Sequence, residues 1–100
     1  MSYASDRAAR RRLLILKLMI EDGGRANDGA LLTALRAIGE TLEMDRDACR
    51  RLMRELGERD CLTIGMERDT IMVAQITERG RMAARGDIEV GGIASPFEGL

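Results

Sequence analysis

The apolar positions along the chain change period twice, and the changes mark out its elements. From Leu13 to Ile20 the run LLILKLMI is apolar at seven of eight positions, more than one helix face holds. Ser5 or Asp6 is placed to cap this first helix, and it runs to about Asp22, where Gly23-Gly24 supplies a stop. Asn27 or Asp28 caps a second helix, GALLTALRAIGETL, in which Leu31, Leu35, Ile38 and Leu42 recur at helical spacing and Gly39 loosens the last turn. A short link through Met44, read as a core plug, leads to Asp45. There a third helix over 45–59 begins, with Asp47 near the positive end of its dipole. Its apolar stripe is Ala48, Cys49, Leu52, Met53 and Leu56. Past Asp60 the period drops to two: Leu62, Ile64 and Met66 alternate with Thr63 and Gly65, Glu67-Arg68-Asp69 makes a polar turn, and TIMVAQI returns. Thr77 caps a last helix, ERGRMAARG, with Met82 and Ala83 as core contacts and Gly86 as its stop.

Three helices, a hairpin over 62–76 and a fourth helix make a mainly α domain with a small β-hairpin wing, the layout of a winged helix-turn-helix. That domain covers residues 1–86. Residues 87–100 hold adjacent glycines, the only proline and no periodicity, so they read as a tail or arm. Its apolar residues Ile88, Val90, Ile93 and Phe97 leave two outcomes open, docking on a partner subunit or disorder at the terminus.

The third helix and hairpin concentrate the candidate chemistry. Arg46, Arg50, Arg51 and Arg54 lie off the apolar stripe, where arginines contact phosphates and read guanine in a major groove. Arg50 and Arg54, one turn apart, are the expected base readers, with Arg46 on phosphate. The competing reading is a solvated face laced by Asp47–Arg51, Arg51–Glu55 and Arg54–Glu58 pairs. Arg68 at the hairpin turn is placed for minor-groove insertion, although Glu67 and Asp69 beside it repel phosphate. Arg10, Arg11 and Arg12 are expected either to clamp a phosphate backbone or a partner's acidic face, or to solubilise an apolar helix.

The first helix poses its own question. Either it is central to the domain, or Leu13, Leu16, Met19 and Ile20 form a homodimer interface. The short chain favours the second expectation, because small domains have little structure with which to surround a helix.

Composition narrows the function classes. The chain has 100 residues, 33% charged, with net charge −1, which gives no general affinity for polyanions. The basic surplus sits in residues 1–20 and is slight along the third helix and hairpin. One Tyr, one Phe and no Trp leave Leu, Ile, Met, Val and Ala to build the core, so the seven methionines read as filler. Cys49 and Cys61 without a histidine are too few for a zinc site, and reduced structural thiols in a cytoplasmic protein are expected. The run Leu13–Ile20 is too short to cross a bilayer, and no secretory cleavage site follows it. No nucleophile with a base, carboxylate pair, phosphate loop or metal cluster can be assembled. An enzyme is thus the least expected class, and no cofactor is called for.

Two strings resemble known families. RRLMRELGERDCLTI is similar to the end of the recognition helix and start of the wing in multiple-antibiotic-resistance-type winged-helix regulators. ITERGRMAARG resembles the phrase after the wing in that superfamily, at Ile76, Thr77, Glu78, Arg79 and Gly80. Together with the opening MSYASDRAARRRLLILKLM, it also resembles a small protein family of Mu-like phages and prophages, encoded near the DNA-packaging functions. These resemblances imply a compact winged helix acting on double-stranded DNA in the cytoplasm of a bacterial host, as a regulator or packaging accessory. In one place the chain departs from the pattern, with Asp60 where glycine usually precedes the strand. The alternative is an interaction module that turns the same mixed-charge face toward another phage or host protein.

Overall fold

The structure, a computed structural model, describes residues 2–97. Its elements are α1 (Tyr3–Glu21), β1 (Arg25–Asn27), α2 (Asp28–Ala37), α3 (Arg46–Glu58), β2 (Leu62–Glu67), β3 (Ile71–Ile76) and α4 (Glu78–Arg85). Four helices therefore accompany a three-stranded antiparallel sheet of order β1-β3-β2, an order compatible with a winged helix. Strand β1 is an addition to the expected elements. It pairs Arg25, Ala26 and Asn27 with Gln75, Ala74 and Val73, and three residues are too few for alternation to show.

Helix α1 starts ahead of both expected caps, because the Ser2 side chain accepts the Ser5 amide. The other caps fall as the sequence places them: Asn27, Asp45 and Thr77 accept the amides of Ala30, Ala48 and Gly80. Helix α2 is shorter than its apolar spacing indicates. Gly39 takes φ 94°, the Gly39 amide bonds the Arg36 carbonyl, and the Glu40 amide bonds the Leu35 carbonyl, the paired closure of a Schellman motif. Ile38 and Leu42 consequently lie beyond the helix and are 49% and 55% exposed. Helix α3 ends in the same closure: the Asp60 amide meets the Gly57 carbonyl, the Cys61 amide meets the Leu56 carbonyl, and Asp60 takes φ 59°. Aspartate thus occupies the left-handed position that glycine fills elsewhere, a conformation its short polar side chain tolerates.

Helix α1 is central. It packs on α2, α3, α4, β1 and β3, burying Leu13, Ile15, Leu16 and Met19 and partly burying Leu14, Leu18 and Ile20 against the same core. This corrects the expected subunit interface. Leu13, Leu16 and Met19 are inside their own domain, and only Ile20 of the four keeps some exposure. The apolar excess that suggested a partner is absorbed because five other elements and the chain after α4 close around one helix.

Cys49, Leu52, Met53 and Leu56 of α3 and the plug Met44 are buried as expected. In α4 the buried residues are Gly80, Ala83 and Ala84, with Met82 only half-buried. Gly80 explains its place in the ITERG string: a Cβ there would collide with the Cys61 carbonyl oxygen, so α4 seats on the start of β2 only without a side chain. After Gly86, residues 87–97 fold back on their own domain rather than reaching away. Val90 is buried, Ile88, Ile93 and Ala94 pack on the core, and the Ala94 amide bonds the Ala9 carbonyl at 3.1 Å. Residues 98–100 of the expected tail lie outside the described residues, as does Met1. Among the described residues no helix is long and apolar enough to cross a membrane.

Candidate nucleic-acid interface

Helix α3 turns its apolar stripe inward, which sends Arg46, Asp47, Arg51, Arg54 and Glu58 to the exposed side. Among the described residues, Arg46, Arg51 and Arg54 form no ion pair. The expected lacing of this face by Asp47–Arg51, Arg51–Glu55 and Arg54–Glu58 is absent. Glu55 is turned to Arg12 instead, at 3.1 Å, and Arg54–Glu58 runs in the weaker order, with the base toward the helix N-terminus. The Arg46 guanidinium reaches back over Gly29 in the first turn of α2.

Arg50 behaves differently, which corrects its assignment as a base reader. Its Nε donates to the Asp28 carboxylate and its Nη2 to the Thr70 carbonyl in the hairpin turn, so the group joins α2, α3 and the hairpin. Asp28 is 2% exposed. Burial alone would raise its pKa, but hydrogen bonds from Arg50 and the Gly29 amide, with the Arg50 charge, outweigh burial and hold the carboxyl below its ordinary value. The Met72 amide of β3 adds to the same effect. Sequence reasoning named Asp28 only as an alternative cap. Its helix-first position gave no sign that its carboxylate faces inward.

The hairpin turn carries Arg68 and Asp69 at φ 52° and 58°, closed by the Thr70 amide on the Glu67 carbonyl at 3.1 Å. Positive φ at both central positions matches the twist of a tight hairpin. Arg68 is exposed and has no ion pair among the described residues, with Glu67 and Asp69 on either side. Met66 and Ile71, the residues flanking the turn on either strand, are 48% and 36% exposed.

Arg11 and Arg12 of α1 are internal staples, which corrects their expected role as DNA contacts. Arg11 is 8% exposed and donates to Glu40 at 3.0 Å and to the Leu42 carbonyl at 2.9 Å. Arg12 joins its Glu55 pair to a 2.7 Å bond with the Gly92 carbonyl, and Arg59 fastens the same loop through the Gly91 carbonyl at 2.8 Å. Arg10 remains outside, its side chain 68% exposed and 3.4 Å from Glu40. The acceptors Glu40 and Glu55 lie about 30 and 43 residues away in sequence, beyond any local pattern.

Both thiols are free and buried. Burial, and then the Asp28 charge, pushes Cys49 up to about 11, and burial raises Cys61. Neither is a reactive thiolate at neutral pH. Among the described residues no three His, Cys, Asp or Glu side chains are grouped to hold a metal ion. No family model matches the chain, and no match was found among curated proteins or solved structures.

Proposed function

We propose that the protein is a winged-helix protein that binds double-stranded DNA, with α3 as the recognition helix and the β2–β3 hairpin as the wing. In this reading Arg51 and Arg54 face the major groove, while Arg46 and Arg68 contact phosphates on either side. The observation that carries it is the sorting of the arginines. Arg11 and Arg12 of α1 are engaged within the domain, whereas Arg46, Arg51, Arg54 and Arg68 are exposed on α3 and the hairpin turn and, among the described residues, form no ion pair. An unpaired guanidinium keeps its hydrogen-bond donors for a ligand, and a fork of donors matches guanine or phosphate. The phage setting implied by the sequence resemblance, a regulator or packaging accessory in the host cytoplasm, belongs to the same proposal.

Selection from a random-sequence duplex library at low and at physiological salt tests it. Enrichment of a common sequence at both salts is the expected result. Weak binding that is lost as salt rises and enriches nothing reports phosphate neutralisation alone and removes the DNA-reading role. Asp47, Glu58, Glu67 and Asp69 interleave with the free arginines and favour a second reading in that event, a protein partner of mixed charge on the same face.

A further inference from the structure

We infer that Arg50 is the positioning residue of this surface: by bonding Asp28 and Thr70 together, it fixes the hairpin to α3 so that Arg68 and the α3 arginines meet one ligand as a rigid unit. The inference rests on the DNA reading for its ligand but not for its mechanics. A hairpin joined to its domain mainly through strand pairing swings readily at its turn, and β1 covers only Val73–Gln75 of β3. The turn-side part of β3 lacks that neighbour. Here Asp28, the residue that follows β1, takes over, its carboxylate holding the Arg50 guanidinium, which bridges onward to the Thr70 carbonyl. The pair is well shielded: the Asp28 side chain is 3% exposed and that of Arg50 21%. Charge-assisted bonds of this kind are stronger than neutral ones, and a planar fork presents donors at a fixed spacing for two acceptors, which a compact ammonium on a flexible stem does not.

The test uses Arg50→Lys and Arg50→Met in the full chain, with two readouts. The first is amide hydrogen exchange without DNA. Exchange at Met72 and along the hairpin should quicken roughly tenfold or more in both variants, while amides in the centre of α1 stay as in the wild type. Arg50→Lys keeps a charge beside Asp28, so it remains folded if Arg50→Met does not. The second is a double-mutant cycle on DNA affinity with Arg68→Ala. In the wild-type background Arg68→Ala should weaken binding several-fold; in the Arg50→Lys background it should cost little more, because the wing is already unfixed. Unchanged hairpin exchange in Arg50→Lys overturns the inference, as does an equal Arg68→Ala loss in both backgrounds. Absence of DNA binding in every protein, wild type included, defeats the DNA reading instead, and the exchange result then decides the positioning role alone.

Discussion

Arginine clusters on α1 and on α3 look alike in sequence and end in opposite conditions. On α1, Arg11 and Arg12 are drawn into the domain by Glu40, Glu55 and the carbonyls of Leu42 and Gly92. On α3, Arg51 and Arg54 have acidic neighbours one turn away and pair with none among the described residues. The difference follows from what each helix packs against. Helix α1 is enclosed, so its flanking cations sit within reach of other elements, and a partly desolvated pair outcompetes water. Helix α3 has one buried face only, and its i,i+4 partners must win against free hydration for a few tenths of a kcal/mol. Arginine type therefore says little about role until the surroundings are known.

Breaking the enclosed side should have the largest effect. Arg11→Met removes a buried cation and leaves Glu40, with 12% of its side chain exposed, without its main partner. A loss of about 3–5 kcal/mol is expected, read from urea unfolding, with a fall in melting temperature. A change under 1 kcal/mol would show that the enclosure does not matter. On the open side the effect moves from folding to binding. Arg51→Ala and Arg54→Ala should leave stability within about 0.5 kcal/mol, while each weakens duplex binding by roughly 1–3 kcal/mol if it reads a base.

Arg50 sharpens the contrast, since it stands on α3 but is engaged as the α1 arginines are. Its partner Asp28 has a folded pKa below the unfolded value, so the pair contributes stability that is present above about 3.8. That contribution is lost as pH falls through the depressed folded value. Asp28→Asn should therefore flatten the acid limb of a stability–pH curve measured by denaturant unfolding from pH 6 downward; an acid limb identical to wild type would mean the pair adds nothing. The smallest effect belongs to Arg10→Ala. That side chain is next to Arg11 in sequence yet exposed, and an exposed pair is worth about 0–1 kcal/mol. A loss matching that of Arg11→Met would erase the distinction by enclosure.

Local signals in the sequence were sufficient for the order of helices and hairpin, three of the four helix caps and the α3 stripe, because caps and periods are set within a few residues. Asp60 was legible for the same reason: it takes the left-handed position after α3 that the helix-to-strand junction requires. What escaped depended on distance. Strand β1 exists only through its pairing with β3, and the partners of Arg11, Arg12 and Arg50 arrive from about 20 to 80 residues away. Helix α2 misled in a different way, since Ile38 and Leu42 keep helical spacing past Gly39, where the backbone has already turned out of the helix. The apolar circumference of α1 does exceed one face, and the rest of the domain covers it.

Whether α3 reads DNA through its exposed arginines is decided by fluorescence anisotropy on one duplex taken from the selected pool, comparing the wild type with Arg51→Ala/Arg54→Ala and with Arg10→Ala across a salt series. The double variant should lose about 2–6 kcal/mol of affinity and its preference over random duplex, while Arg10→Ala titrates like the wild type and keeps its salt slope. Equal affinity of the double variant and the wild type at every salt concentration would contradict that role for α3.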